Sequence, residues 1–378
     1  MREAAVLHER GFSEVIIVGA GLIGLAIAFE FAERGKSVFV FERGQPGRGA
    51  SWAGAGMLAP YTEDLHAGDS RLVRLGAESL KLYPQFVRRV CEASGLEVEL
   101  RLDGILHAAF DEERMRDLEA HASRLRNLGA ICDILDAEAA HAAEPALGEH
   151  VVGALLVAAE GYVDNRQLTR ALIAACQARD ITIVSEVPTL VVECDDQHVV
   201  GVRTDQGLFA APTVVNATGA WAGLLPGVPT SCMPGVYPVK GQILALSATP
   251  GVVRRPTWVS DTHYFVPRND GRVLIGATAE SVGFDEHVTA VGIQHLLDVA
   301  LAAEPSLGTF PIAETWAGLR PGSADGRPFI GPTSIAGLVL AAGHFRNGIL
   351  LTPITARLVA DFVCGGDLEP LRSWLIGR

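Results

Sequence analysis

The segment from Val15 to Glu42 limits the possible folds more than any other part of the chain. Four apolar residues, 15–18, predict a buried strand, and an apolar helix is predicted from Leu22 to about Arg34, after a glycine-rich turn. A second apolar run at 38–41 predicts another strand, with Glu42 at its carboxyl end. Strand, turn, helix, strand and acid therefore follow in the order of a dinucleotide-binding βαβ unit.

Three glycines in this unit have distinct expected roles. Gly19 permits the tight turn, Gly21 lets the backbone approach a pyrophosphate, and Gly24 lets the helix pack closely on the strand. The N–H groups at the start of the helix favour phosphate. A carboxylate at Glu42 can accept both ribose hydroxyls, which favours FAD or NAD over NADP. The alternative is a βαβ unit with a purely structural role.

The residues at 44–60 help to distinguish between FAD and NAD as the bound dinucleotide. Most of them are small, and they predict neither a packed helix nor a good strand. Small side chains let the backbone approach a large flat group, and the run looks like the segment of FAD oxidoreductases that passes the pyrophosphate and lies over the isoalloxazine. A flexible surface linker is the alternative, although it would place Trp52, Met57 and Leu58 in water.

Apolar periodicity predicts the remaining helices and strands. Helices are predicted at 70–94, 111–127, 165–178 and 291–303. Strands are predicted at 98–102, 104–109, 152–158, 181–184, 189–194, 199–204, 236–246, 264–267 and 273–278. The runs at 181–184, 189–194 and 199–204 are spaced as a meander. The last three strands resemble one antiparallel sheet, with 269–271 as a hairpin turn.

Two later segments repeat the pattern of a strand that ends in small residues. The strand that begins at Thr213 runs into Ala217, Thr218 and Gly219, which predicts a return to the nucleotide domain, with a simple structural turn as the alternative. A strand at 335–342 leads into the loop 343–348 and an uninterrupted helical pattern at 349–363. The start of that helix is expected to face negative charge.

These elements predict an α/β protein with a discontinuous Rossmann-like FAD-binding domain and a second α+β substrate domain built on an antiparallel sheet. The expected FAD-binding domain comprises residues 13–60, 150–225 and 318–378. The expected substrate-binding domain comprises residues 61–149 and 226–317.

Composition excludes some classes of protein and favours others. The chain has 378 residues and a net charge of −13, which argues against nucleic-acid binding. Residues 1–12 lack the apolar core of a signal peptide, and no apolar run reaches the ~18 residues that span a bilayer. The six cysteines are scattered, so we expect reduced thiols, no metal site and a cytoplasmic location.

Several motifs that run in one order along most of the chain carry a family resemblance. Besides the glycine turn, they are 55–60 (AGMLAP), 238–241 (PVKG), 264–268 (YFVPR), 276–278 (GAT), 316–322 (WAGLRPG), 325–328 (DGRP) and 343–351 (GHFRNGILL). With these motifs the chain resembles the D-amino-acid oxidase superfamily of FAD enzymes and, within it, the glycine oxidase family. The motifs at 316–322 and 343–348 are the most specific.

The resemblance implies roles for individual residues. Arg320 would pair with the carboxylate of an amino acid, Tyr264 would help to hold it, and Arg346 would lie over the flavin, with Met57 at the same site. A surface salt bridge is the alternative for Arg320, and a core position is the alternative for Tyr264. The expected contacts of a non-covalent FAD are Gly19, Gly21, Leu22, Ile23, Gly24, Glu42, Arg43, Ala50, Ser51, Ala55, Gly56, Met57, Val187, Thr189, Gly219, Gly318, His344, Phe345, Arg346, Asn347, Gly348, Ile349 and Leu350.

His344 and His263 are not expected to act as acid or base. His344 is expected to have a backbone or supporting role, and His263 is expected to be a solvated strand residue.

The resemblance also implies an activity. It implies oxidation of glycine, with sarcosine and small D-amino acids as further substrates, by hydride transfer to flavin N5. The products would be an imine and then glyoxylate, ammonia and hydrogen peroxide, and the activity would feed the thiazole branch of thiamine biosynthesis. Molecular oxygen would be the second substrate, and a homo-oligomer, dimer or tetramer, is expected.

Two other activities stay open at this point. One is a D-amino-acid or D-proline dehydrogenase that passes electrons to a quinone. The other is a flavin-binding module without catalysis.

Overall fold

The computed structural model describes residues 11–62, 69–195 and 197–377. Residues 1–10, most of the segment expected to lack a signal peptide, lie outside this range, as do 63–68 of the expected substrate domain. Among the described residues, no helix combines the length and the apolar character needed to cross a membrane.

Most expected helices and strands are present close to the expected ranges, and further elements at 132–136, 137–143, 161–163, 207–210, 257–258 and 329–332 were not expected. The helices are Leu22–Glu33 (α1), Ala50–Ala53 (α2), Ser70–Ser94 (α3), Glu112–Asn127 (α4), Ala137–Ala143 (α5), Asn165–Ala178 (α6), Ala290–Ala303 (α7) and Thr352–Val363 (α8). The strands are Val15–Val18 (β1), Val38–Phe41 (β2), Met57–Leu58 (β3), Leu100–Arg101 (β4), Ile105–Ala109 (β5), Cys132–Asp136 (β6), Gly153–Val157 (β7), Gly161–Val163 (β8), Thr182–Val184 (β9), Val191–Cys194 (β10), Val199–Thr204 (β11), Gly207–Ala210 (β12), Thr213–Asn216 (β13), Val236–Ser247 (β14), Thr257–Trp258 (β15), Tyr264–Pro267 (β16), Arg272–Gly276 (β17), Ile312–Ser323 (β18), Phe329–Pro332 (β19) and Leu338–Ala342 (β20).

A six-stranded sheet forms the nucleotide-binding layer, in the order β19-β20-β13-β1-β2-β9. β1 pairs in parallel with β2 and β13, and β20 pairs in parallel with β13, so the predicted return of the chain to this layer is confirmed. One face of the sheet packs with helices α1, α3, α6 and α8 in the largest apolar core. The three-stranded meander β10-β11-β12 covers the other face, where Phe209 packs against Phe39 and Phe41.

The predicted meander was wrong in its first strand. β9 does not pair with β10 but adds to the edge of the six-stranded sheet, parallel to β2. The Glu42 N–H donates to the carbonyl of Val184, which extends that pairing by one residue (2.8 Å). The meander is completed instead by β12, which the alternation of apolar residues did not reveal.

The second layer is an eight-stranded sheet in the order β18-β14-β17-β16-β15-β5-β7-β6. The predicted hairpin is confirmed, since β16 and β17 pair antiparallel around residues 269–271. α7 packs on one face of this sheet. β7 and β18 pair within this sheet, although the expected boundaries at 150 and 318 assigned β7 and half of β18 to the FAD-binding domain. The division into two domains stays a prediction.

Two expectations about local structure need correction. The small-residue run 44–60 contains one helical turn, α2, and a two-residue strand, β3, that pairs with β8. The last helix begins at Thr352 rather than at 349, because Pro353 occupies its first turn, where a missing N–H is tolerated. A short 3-10 turn, Phe345–Asn347, precedes it.

Candidate active site

A cavity of about 780 Å³ lies between the carboxyl ends of the parallel strands and one face of the eight-stranded sheet. Its walls include the ends of β1 and β2, the loops after β13 and β20, and residues of β14, β16 and β18. In open α/β sheets, ligands bind at the carboxyl ends of the strands. The volume also lies within the ~300–1,000 Å³ that is usual for ligand and cofactor sites.

The glycine turn is packed as its spacing predicts. Gly19 has φ +107, and a Cβ there would lie 2.4 Å from the carbonyl oxygen of Ala217. A Cβ on Gly24 would lie 1.9 Å from the carbonyl oxygen of Gly19. Gly24 therefore brings helix and strand together and does not line the cavity, so its place among the expected cofactor contacts is not supported by the geometry.

Side chains fix the turn from two directions. The carboxylate of Glu42 accepts from the N–H of Ala20 (2.8 Å) and from the N–H of Gly44 (3.0 Å). The hydroxyl of Ser51 accepts from the N–H of Leu22 (2.8 Å). Glu42 thus holds the turn against the end of β2 and also lines the cavity where a ribose is expected.

An aromatic stack that sequence reasoning missed borders the same end of the cavity. The guanidinium of Arg43 lies 3.4 Å from the ring centroid of Trp221, and Phe284 stacks on Trp221 at 5.2 Å. Trp221 follows the small residues 217–219, so its position just after the predicted turn was the available signal.

The substrate side of the cavity contains Tyr264 and Arg320, each beside a glycine of a neighbouring strand. Tyr264 is 5% exposed, and a Cβ on Gly276 would lie 2.7 Å from its ring. A Cβ on Gly241 would lie 2.2 Å from Nη1 of Arg320. Both glycines therefore provide the space that these side chains occupy.

Two guanidinium groups converge on this end of the cavity. Nη1 of Arg320 donates to the carbonyl of Thr278 (3.0 Å), which orients the guanidinium plane. Arg346 also lines the cavity, and its guanidinium lies 5.8 Å from the ring centroid of Trp258. Trp258 in turn packs edge to face on Tyr264 (5.0 Å). The structure thus brings together the three residues expected at the substrate, and Met57 lines the same cavity.

The structure also locates the other expected cofactor contacts. Leu350 points away from the cavity into the main core, where its carbonyl accepts from the Ser79 hydroxyl (2.6 Å). The expected residues that do line the cavity are Gly19, Gly21, Leu22, Ile23, Glu42, Arg43, Ala50, Ser51, Ala55, Gly56, Met57, Val187, Thr189, Gly219, Tyr264, Gly318, Arg320, His344, Phe345, Arg346, Asn347, Gly348 and Ile349. Their roles at a bound ligand stay predictions.

The two histidines near the site differ from each other. His344 lines the cavity but is 2% exposed, and its Nε2 lies 3.0 Å from the hydroxyl of Thr355. Burial lowers the pKa of His344 to about 3, so its imidazole is neutral near pH 7. His263 was expected in solvent, which is wrong: it is buried, and its ring packs edge to face on that of His295 (4.8 Å).

These residues fit a bound FAD. The glycine turn and Glu42 suit a pyrophosphate and an adenosine ribose, and the small residues at 49–56 leave room for a flat ring beside Tyr264 and Arg320. The cavity is continuous from Glu42 to Arg320, so one elongated molecule can contact both sheets.

Comparison with known proteins agrees with this geometry. A family model described as FAD dependent oxidoreductase matches residues 14–362. The chain belongs to this family of FAD-dependent oxidoreductases, and the resemblance, the fold class and the FAD cofactor expected from the sequence are confirmed.

Within the family the chain is similar to glycine oxidases. It is 36% identical over 353 residues to the glycine oxidase of Geobacillus kaustophilus, with 93% of this chain and 92% of that protein covered. The crystal structure of that enzyme matches with a TM-score of 0.88, covering 95% and 98% of the two chains at 36% identity. The glycine oxidase of Bacillus cereus matches with a TM-score of 0.90 at 29% identity, covering 97% and 99%.

A second group of relatives is longer. The chain is 36% identical over 363 residues to the bifunctional protein ThiO/ThiG of Trichormus variabilis. The match covers 95% of this chain and 54% of that protein, so the chain spans about half the length of these bifunctional relatives.

Proposed function

We propose that this chain catalyses the FAD-dependent oxidative deamination of glycine, in which glycine, oxygen and water give glyoxylate, ammonia and hydrogen peroxide. The observation that carries the proposal is that Tyr264 and Arg320 line the same cavity as the glycine turn and Glu42. An amino-acid carboxylate and a dinucleotide can therefore be held in one continuous site. The similarity to glycine oxidases supports glycine as the substrate.

Arg320 is proposed to bind the substrate carboxylate. A guanidinium presents N–H groups in a planar fork that matches the two oxygens of a carboxylate. The hydrogen bond to Thr278 fixes the plane of that fork, and Gly241 leaves space beneath it. We assign the phenol of Tyr264 to the same carboxylate, because its ring is held between Trp258 and the backbone of Gly276.

The protein contributes orientation, positive charge and exclusion of water rather than acid–base catalysis. FAD held by these residues would supply the acceptor for the hydride from the substrate Cα and the route of the two electrons to oxygen. Arg320 and Arg346 place two positive charges at the substrate end of the cavity, where they attract the carboxylate. His344, with a pKa lowered to about 3, is too weak a base to take a proton from the substrate ammonium near pH 7. The substrate amine therefore needs to bind in its neutral form.

The biological setting is part of the same proposal. The names of the bifunctional relatives support a role in thiamine biosynthesis. We propose a cytoplasmic enzyme, because all six cysteines are unpaired, as expected in a reducing compartment. The proposed assembly is a homo-oligomer, a dimer or a tetramer.

The experiment that tests this function is anaerobic. The purified protein is mixed separately with glycine, sarcosine, D-alanine and D-proline, the flavin absorbance is followed, and air is then admitted while peroxide is assayed. We expect glycine to bleach the flavin and air to restore it with formation of peroxide. Bleaching without peroxide would instead indicate a dehydrogenase with another acceptor. Flavin that no amine bleaches would contradict the roles given to Arg320 and Tyr264.

A further inference from the structure

The cavity wall that is expected to face the flavin is formed by residues 51–57, which we call the 51–57 segment. Side chains on the far side of this wall donate hydrogen bonds to its backbone carbonyl groups. Asn165 Nδ2 donates to the carbonyl of Ser51 (2.7 Å), and Trp316 Nε1 donates to the carbonyl of Ala53 (2.9 Å). Arg268 Nη2 donates to the carbonyl of Ala55 (2.9 Å). These long-range donors thus add to the helical turn α2 and to the pairing of β3 with β8 in holding this wall.

Two of these donors lie on the strands that carry the substrate-binding residues. Trp316 and Arg320 are both on β18, four residues apart, so their side chains share one face of the sheet. Gly318 lies between them on that face, and a Cβ there would lie 2.3 Å from the Cβ of Ala53. The segment is therefore pressed directly against the strand that carries Arg320.

Arg268 makes the same connection for Tyr264. It directly follows β16, the strand that begins with Tyr264. Its side chain is only 2% exposed and lies 3.6 Å from Asp164, which is equally buried. It also donates to Oδ1 of Asn165 (3.2 Å), so the donors to Ser51 and Ala55 are linked.

The buried charge of Arg268 has a specific partner in the backbone. An uncharged, apolar side chain would leave the Ala55 carbonyl and the Asp164 carboxylate buried without this donor. Next to Ala55, Gly56 adopts φ +81, and a Cβ there would lie 2.0 Å from the carbonyl oxygen of Val163. The backbone of the 51–57 segment therefore cannot shift freely to reach another hydrogen-bond donor.

We propose that Arg268 and Trp316 are positioning residues that fix the 51–57 segment, and with it the flavin ring, relative to Tyr264 and Arg320. The proposal rests on the proposed function, since it assigns the ring to this wall. Hydride transfer depends steeply on the distance between donor and acceptor, and a displacement of about 1 Å can lower the rate ~100-fold. Loss of either donor should therefore lower the rate of flavin reduction while the carboxylate site stays intact.

The test compares Trp316→Phe and Arg268→Met with a matched control, Arg272→Met. Trp316→Phe keeps an aromatic ring but removes the N–H donor together with part of the buried indole. Arg272 is near the same Asp164 (3.8 Å) but is 26% exposed and paired with Asp270 (2.8 Å). FAD-loaded proteins are compared by the visible circular dichroism of the flavin, by acetate binding as a carboxylate probe, and by the rate of anaerobic reduction by glycine.

We expect Trp316→Phe to retain FAD and acetate affinity, to alter the flavin dichroism and to lower the reduction rate by about tenfold to 100-fold. Arg268→Lys should recover part of the rate lost in Arg268→Met. The proposal is overturned if the dichroism and the reduction rate of Trp316→Phe stay within about twofold of Arg272→Met. A rise in KM at an unchanged saturating rate would overturn it too.

The design separates this proposal from the proposed function. If no amine reduces the flavin of the wild-type protein, the proposed function is wrong. The difference in flavin dichroism between the wild type and the variants then still tests whether the 51–57 segment has moved. If Arg268→Met does not fold, Trp316→Phe, which leaves the buried charge in place, decides the outcome.

Discussion

Two parts of the cavity wall are held in place by different physical means. The turn Gly19–Gly24 is fixed mainly by close packing of its backbone, since a Cβ at Gly19 or Gly24 would overlap a neighbouring carbonyl group. The side chains of Glu42 and Ser51, close to it in sequence, add hydrogen bonds. The 51–57 segment is fixed by side chains that are distant in sequence, with Trp316 and Arg268 separated from their backbone partners by 263 and 213 residues. The turn depends on glycines, which have no side chains, whereas the 51–57 segment depends on hydrogen-bond donors supplied by the eight-stranded sheet.

This difference predicts which substitutions should affect binding of the cofactor and which should affect the rate of catalysis. A rigid turn cannot adjust its shape to an added side chain, so substitutions there should abolish binding of the dinucleotide. A wall held by separate donors can shift by fractions of an ångström without losing the cofactor, so changes there should alter catalysis first. The first of the four predictions that follow tests the turn, the variants of Trp316 and Arg268 described above test the 51–57 segment, and the other three predictions test residues elsewhere in the cavity wall.

The largest effect is expected from Gly24→Ala. The added Cβ would lie 1.9 Å from the carbonyl oxygen of Gly19, and relieving that overlap is expected to cost about 3 kcal/mol or more. We expect protein without bound flavin, measured as loss of the visible flavin absorbance. Gly235→Ala is the control, because a Cβ there has no neighbour within 4 Å. Wild-type FAD content in Gly24→Ala would show that the turn is not rigid.

Arg320→Ala should raise KM for glycine about 100-fold while FAD content is retained. Loss of a charged hydrogen-bond donor is expected to cost up to about 3 kcal/mol. Gly241→Ala sharpens the result, because it keeps the charge but displaces the guanidinium, and should also raise KM. Steady-state kinetics with glycine measures both variants. An unchanged KM in Arg320→Ala would rule out its assignment to the carboxylate.

His344 should make stability, rather than activity, depend on pH. Its pKa is lowered to about 3 by burial, against about 6.5 for an unfolded histidine. Between these values the unfolded chain binds a proton that the folded chain does not, so stability should fall with decreasing pH by up to ~1.4 kcal/mol per unit. Denaturant unfolding at several pH values measures this slope, and His344→Asn should reduce it. An equal slope in both proteins would contradict the assignment.

Arg43→Ala is expected to have the smallest effect. It removes the contact with the Trp221 ring at the adenosine end, worth about 0.5–1 kcal/mol for an exposed pair. FAD affinity, measured by fluorescence titration of the apoprotein, should fall about twofold to fivefold. Arg43→Lys separates charge from stacking, because it keeps the first and loses the planar contact. An unchanged FAD affinity would contradict this prediction, and a fall much larger than fivefold would mean that the expected direct contact of Arg43 with FAD outweighs its stacking on Trp221.

The turn, the helix that follows it and Glu42 could be predicted from sequence because their roles depend on residues close together in the chain. β9 could not be placed correctly, because its spacing from β10 is compatible with a hairpin and only pairing with β2 decides between the two. The late start of α8 could have been found, since Pro353 is a signal for the first turn of a helix.

Local sequence patterns could not predict the residues that hold the cavity wall from outside. Trp316 and Arg268 occur within motifs that carried the family resemblance, but nothing in their spacing indicates that they bind the backbone of the 51–57 segment. Leu350 was expected at the cofactor because it adjoins residues that do line the cavity, but its own side chain turns into the core.

The order of strands in the nucleotide-binding sheet has a consequence for how the protein is made on the ribosome. β1 is translated long before β20 and the loop after it, which close the same cavity. The nascent chain therefore leaves the outer edge of β13 without its partner strand until β20 has been translated. We therefore expect the flavin to be captured only after these residues have emerged, since a chain truncated before residue 338 would have no complete site to load.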